Sequence, residues 1–276
     1  MKKTILTSLV LGALMASNAT AADLRTKAPI MKAPPAPTFS WTGCYLDAGA
    51  GYGLWTQDHS TSNAVGLTTV ETTSGGRGWL GRFGGGCDLQ LSGTFSNFLI
   101  GAFGDYDAAD LTDTVLIGGT QLTGNEKESS AWAAGGRIGY VLAPQIMTYV
   151  NGGWTEARFD QINEASIFGV PSAFGLPSHT YNGWFLGSGF EYNFNWLPIP
   201  GLFLRTEYRY SSYNRDDLAE FSLATGAPTG IVLHSKKFVQ TATTTAATSP
   251  PPPARWWRSS ASPARCSPSP RSSPAR

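Results

Sequence analysis

Along most of this chain, large apolar residues recur at every second position. In "GWFLGSGFEYNF", residues 183–194, Trp184, Leu186, Ser188, Phe190, Tyr192 and Phe194 form one set, and Gly183, Phe185, Gly187, Gly189, Glu191 and Asn193 form the other. A period of two means a strand with two unlike faces. The same alternation opens the chain's ordered part: Leu46, Ala48, Ala50 and Tyr52 lie opposite Asp47, Gly49, Gly51 and Gly53. It returns with Trp132, Ala134, Ile138 and Tyr140 opposite Gly135, Arg137 and Gly139. Late in the chain, Leu202, Leu204, Thr206, Tyr208 and Tyr210 lie opposite Arg205, Glu207 and Arg209. Glycine weakens a strand and packs nothing against water. A face of glycine and charge opposite a face of aromatics therefore predicts an apolar exterior that meets lipid and a narrow, polar interior.

The pattern predicts eight strands, over residues 43–55, 79–91, 98–108, 130–142, 146–157, 181–194, 202–210 and 237–247. The segment 146–157 alternates poorly, and its register stays open. Short connections (92–97, 143–145, 195–201) take turns with long ones (56–78, 110–128, 158–180, 211–236). Short turns at one end and long loops at the other are the layout of a membrane barrel, and strands of about ten residues, tilted, span a bilayer core. The fold class expected is all-β: an eight-stranded antiparallel up-and-down transmembrane β-barrel. The long loops are rich in Ser, Thr, Gly and Asn, which predicts hydrated, mobile segments.

Flanking segments divide the chain further. Lys2 and Lys3, the apolar run 4–17 and Ala19-Thr20-Ala21 have the order of a secretory signal peptide, so residues 1–21 are expected to be removed and the chain exported. Residues 22–40 are proline-rich and aperiodic, and predict a periplasmic linker. Residues 41–248 hold the barrel. Residues 249–276 carry 8 Pro, 8 Ser and 5 Arg with no acid and no Leu, Ile, Val or Phe. That composition cannot form a membrane strand. It predicts a disordered tail, or an out-of-frame translation product beginning near 243–249, in which case the eighth strand is incomplete and barrel closure suffers.

Composition agrees with an envelope barrel. Glycine is abundant, at 32 residues, aromatics make 12% of the chain, and the net charge is +1, which implies no nucleic-acid partner. The cysteines are Cys44, Cys87 and Cys266, with no CxxC pair, so neither zinc nor another cofactor is implied. Cys44 opens the first strand and Cys87 nears the end of the second, on the same outward face. An exported chain can oxidise the pair, so a Cys44–Cys87 disulfide is expected; two small residues facing lipid are the alternative.

The segments "FSWTGCYLDAGAGYG", "GGCDLQLSGTFSNFLIGAFGDYD", "GGRIGY", "NGGWTEARFDQ", "GWFLGSGFEYNF" and "FLRTEYRYSSY" resemble the small outer-membrane β-barrels of the porin or opacity type in Gram-negative bacteria. The resemblance covers residues 39–243. It implies an outer-membrane location, contact with lipid and lipopolysaccharide, assembly by the barrel-insertion machinery, and no enzymatic activity. Members close with a strand that ends in an aromatic, which this chain lacks near position 250.

The inward positions hold six acids (Asp47, Asp88, Asp105, Asp107, Glu191, Glu207) and four bases (Arg82, Arg137, Arg205, Arg209). An eight-stranded interior is just wide enough for side chains to fill, and buried charges need partners. These ten residues are expected to form a lumen charge network, either a packed polar core or the lining of a cation-selective pore. His59, His179 and His234 fall in predicted loops, one in each. The function classes that remain are a structural envelope barrel with slow solute passage, a surface ligand binder such as a haem binder or adhesin-like barrel, and an outer-membrane enzyme.

Overall fold

The computed structural model describes residues 40–117, 122–194, 196–199 and 201–249; the expected signal peptide, nearly all of the linker and all but the first residue of the expected tail lie outside them. The elements are β1 (Gly43–Ser62), β2 (Thr72–Gln90), β3 (Phe98–Ile117), β4 (Leu122–Ala143), β5 (Ile146–Phe159), β6 (Ile162–Ser166), β7 (Pro171–Leu176), β8 (His179–Asn193), β9 (Leu202–Tyr213), β10 (Asp216–Ser222) and β11 (Pro228–Thr248). Each strand pairs antiparallel with its neighbours. The ring β1-β2-β3-β4-β5-β8-β9-β11 closes through β11 on β1.

Above this ring the wall continues. β4 passes from β5 to β6, and β6, β7, β10 and β11 pair in turn. β5–β6, β7–β8 and β9–β10 are thus three long strands, each interrupted by a short break. The predicted long loops are mostly strand: β1 runs on to Ser62 and β2 starts at Thr72. Period-2 alternation persists there with polar and small residues, so Gln57, His59 and Thr61 are buried in the lumen while Asp58 and Ser60 are not. Hydropathy contrast is weak outside the lipid, and the pattern was therefore legible only within it.

The eighth barrel strand is complete, without the truncation that an out-of-frame tail beginning near 243–249 would bring. β11 pairs with β1 from Thr248 to Val232 and with β9 from Thr248 to Phe238. Its "TATTTAAT" supplies β-branched threonines suited to a pleated surface, and the ladder needs no terminal aromatic. The register of β5 is also settled: Met147, Tyr149, Asn151, Thr155 and Ala157 are buried in the lumen, and Ile146, Val150 and Trp154 are exposed.

Outside, two aromatic belts bracket an apolar band. Tyr52, Trp79, Tyr106, Trp132, Trp154, Trp184 and Tyr208 form one; Phe98, Tyr140, Phe190 and Trp196 mark the other. Leu46, Phe83, Ile100, Ile138, Val150 and Leu186 lie between them, exposed. Residues of a water-soluble wall would not be arranged so; a bilayer-spanning barrel is. Cross-strand partners join the belts: the Tyr52 and Trp79 rings meet at 5.3 Å, and Phe98 and Tyr140 at 5.1 Å.

Aromatics also face inward, which the sequence pattern did not anticipate. Trp55, Tyr45, Tyr149, Phe159, Tyr181, Phe185, Phe203 and Tyr213 are buried. The inward glycines make room for them and for close strand approach. A Cβ at Gly189 would lie 2.6 Å from the Tyr149 hydroxyl, at Gly86 2.5 Å from the Tyr45 hydroxyl, and at Gly49 2.1 Å from the Thr244 carbonyl oxygen.

Candidate functional site: the charged lumen

All ten predicted lumen residues point inward, each on the strand register that alternation assigned. They make two connected groups. In the lower one, nearer the short turns, the Arg137 guanidinium donates through Nε to Asp88 Oδ1 at 2.8 Å and through Nη2 to Asp88 Oδ2, and pairs with Glu191. Arg205 donates to Glu191 Oε1 at 2.7 Å and pairs with Asp47. The Arg205 guanidinium lies 4.3 Å from the Tyr45 ring centre, and that of Arg137 lies 5.1 Å from the Tyr149 ring centre. Rings above the cations compensate part of their lost hydration.

In the middle group Arg82 grips Asp107 bidentately, with Nε and Nη2 each 2.7 Å from a carboxylate oxygen. Its Nη1 reaches Glu207 at 3.0 Å and Thr243 at 3.1 Å. Arg209 holds Asp105 bidentately at 2.8 and 2.7 Å, and donates to Glu207 Oε1 at 3.0 Å. Glu207 is the hub: Tyr149 donates to it at 2.9 Å and the Asn151 amide at 2.7 Å. Planar forks on both oxygens of a carboxylate are the strongest side-chain hydrogen bonds available, and they join strands across the lumen.

A third group, which the sequence reading missed, fills the lumen above the upper belt. Lys237, fully buried, pairs with Glu126 at 2.5 Å and donates to Gln57. Its ammonium sits 4.1 Å from the Phe159 ring centre, 5.0 Å from Tyr181 and 5.1 Å from Trp55. Leu111, Val115, Ile162, Leu176, Leu218 and Leu233 pack around it. The signal was present: Lys237, Val239 and Thr241 continue the inward set of β11, whereas Lys236 falls on the other face. Tyr149 and Asn151 were missed because the register of β5 was open.

The histidines are not loop residues. His59 is buried on β1, its Nε2 3.0 Å from the Leu116 carbonyl oxygen. His179 on β8 meets Asp216 at 3.1 Å, and His234 on β11 meets Asp217 at 2.6 Å and the Ser62 hydroxyl at 2.9 Å. Among the described residues, no group of three or more His, Cys, Asp or Glu side chains is arranged to hold a metal ion.

Little space is left inside. A cavity of about 20 Å³ lies between Trp41, Tyr45, Asp88, Glu191 and Phe203, and one of about 10 Å³ between Asp105, Asp107, Glu128, Arg209 and Tyr213. A single water needs roughly 10–15 Å³. At the lower rim, Cys44 and Cys87 are direct cross-strand partners joined by a disulfide. It closes 43 residues, for which chain entropy gives about 4 kcal/mol of stabilisation.

The sequence model for the outer membrane protein β-barrel domain matches residues 7–227. The chain belongs to this outer-membrane β-barrel family. It is similar to the 31 kDa outer-membrane immunogenic protein of Brucella melitensis biotype 1, with 30% identity over 241 residues that cover 80% of this chain and 90% of the relative. The protein of the same description from Brucella suis biovar 1 matches equally. Among solved structures, the outer membrane protein OprG from Pseudomonas aeruginosa shares 10% identity, with a TM-score of 0.48, over 76% of this chain and 97% of OprG. As an outer-membrane β-barrel protein, the chain resides in the outer membrane and meets lipid through the band between its aromatic belts.

Proposed function

We propose that this outer-membrane barrel is a closed envelope protein whose walls and outer surface carry its function, and that it conducts solutes slowly if at all. The supporting observation is the cross-braced lumen: Arg209–Asp105 and Arg82–Glu207 tie β9 to β3 and β2 across it, and each of the two cavities described holds no more than a water or two. Opening a pore would strand buried charges, each pair costing about 3–5 kcal/mol when one partner is lost. The acids at the level of the membrane band are engaged by arginines, so the barrel is read as a non-enzyme that takes no cofactor and is assembled by the insertion machinery. Reconstitution in planar bilayers tests this. Discrete, sustained conductance steps from purified folded protein would overturn it; a quiet baseline is expected.

A second reading, an adhesin-like contact surface, is favoured by the chemistry of the hairpin tips. Residues 62–70, 165–178 and 221–233 contain no charged side chain, yet Val65, Val70 and Phe168 are 79%, 86% and 84% exposed. Exposed apolar tips mark contact sites. The Brucella relatives are described as immunogenic, which accords with a displayed surface. Haem capture has less support, since each histidine already has a polar partner. Replacing Val65, Val70 and Phe168 together by serine is expected to lower adhesion of expressing cells to an uncharged apolar surface several-fold, with barrel folding unchanged; equal adhesion would remove this reading.

A further inference from the structure

One stretch of the extracellular wall lacks a hydrogen-bond ladder. β8 pairs with β9 up to Gly183–Tyr213, and β7 pairs with β10 only at Gly175–Phe221 and Phe174–Ser222. Between them, residues 176–181 face 215–220 with no backbone pairing. Asn214 N–H donates to the Asn182 carbonyl at 2.9 Å below the gap, and Leu223 N–H donates to the Ala173 carbonyl at 2.8 Å above it. Across the gap itself, His179 and Asp216 form a polar bridge at 3.1 Å. The inner side is lined by buried Leu176, Tyr181 and Leu218. Elsewhere on the ring, neighbouring strands are joined by long, nearly continuous registers.

At the upper end of this seam two acids are buried in the wall. Glu164 on β6 is 1% exposed and Glu220 on β10 is 2% exposed. Glu220 accepts from the Thr229 hydroxyl. Neither oxygen of Glu164 meets a donor among the described residues. Burial, the Glu220 charge, and a hydrogen bond to Glu220 that favours the protonated acid push the Glu164 carboxyl up to about 7. Both residues lie beyond the upper aromatic belt. Among the described residues, neither forms an ion pair with a cation. β7, which separates their strands, carries no titratable side chain. On β4, Glu126 is held by Lys237 of β11 and Glu128 lies deeper in the lumen. On β1, His59 is bound to Leu116. On the same inward face as Tyr181 and Leu218, His179 and Asp216 form an ion pair only while the imidazole is protonated.

We propose that this seam is a pH-dependent fault line in the extracellular wall, held shut while the buried Glu164 is protonated and loosened when it ionises beside Glu220. Two buried carboxylates side by side cannot both be ionised without repulsion, and at this level β7 and β10 are joined by two pairings and the Leu223–Ala173 hydrogen bond. The acid with the raised pKa stabilises the closed seam fully below its ordinary range near 4.5, and that stability is lost as pH rises through about 7.

Hydrogen exchange on the full chain in phosphatidylcholine nanodiscs, at pH 5 and pH 8 and corrected for intrinsic rates, tests this. Amides within 176–181 and 215–220 are expected to exchange at least about tenfold faster at pH 8, with the belt-spanning strands unchanged. Glu164→Gln keeps a neutral partner for Glu220 and is expected to abolish the difference. Glu220→Gln removes the repulsion but leaves Glu164 buried, so it is expected to shrink the difference, and it serves if the first variant folds poorly. Equal corrected rates at the two pH values in the parent protein, a difference that persists in folded Glu164→Gln, or one unchanged in folded Glu220→Gln, would overturn the proposal.

Discussion

Glu207 shows how much one residue can organise. It receives Arg82 from β2, Tyr149 and Asn151 from β5, and Arg209 from its own strand β9. Glu207→Ala would leave Arg82 and Arg209 close together with one shared countercharge gone. A buried pair broken on one side costs about 3–5 kcal/mol. The expected outcome is a lower temperature for the heat-induced mobility shift on gels, where a folded barrel runs compact until it unfolds. An unchanged transition would mean that Asp105 and Asp107 suffice. The acids and arginines of this site were legible as a set because alternation placed them all inward. Which acid served which arginine was not, because partners come from strands far apart in sequence: Arg82 and Glu207 are separated by 125 residues.

At the scale of elements, glycines on the two faces are not equivalent. A Cβ on inward Gly49 would collide with the β11 backbone, at 2.1 Å from the Thr244 carbonyl oxygen, whereas one on outward Gly136 would find its nearest neighbour, Gly101 O, at 3.6 Å. Gly49→Ala is therefore expected to lower stability by about 1–3 kcal/mol, as overpacking does, and Gly136→Ala by less than about 0.5 kcal/mol. Urea unfolding midpoints in detergent separate the two; equal midpoints would refute the steric assignment. The strand cores were readable where lipid enforces contrast between faces. Their extensions were not, since Gln57, His59 and Ser235 are buried polar residues that read as loop.

For the whole molecule, closure is the decisive property. β11 completes the ring on both its edges by Thr248. A chain ending at Ser249 is expected to reach the outer membrane and to show the same heat-modifiable shift as the full chain. Loss of the shift on truncation would show that residues 250–276 take part in assembly. The out-of-frame origin of that segment remains a proposal, and resequencing of the gene together with detection of its peptides in outer-membrane fractions tests it.

The sequence by itself determined the class of fold, the face each membrane residue presents and the ten charges that enter the lumen. Those follow from a period of two imposed by a bilayer outside and a narrow interior within. It also placed Cys44 and Cys87 at matching depth. Only the tertiary structure decided the rest. The inward rings that need those glycines, the Lys237 cage, the extension of the wall beyond the lipid and the unladdered seam beside Glu164 and Glu220 all depend on distant strands meeting. Local pattern carries the sign of a face; it carries no information on which residue will stand opposite.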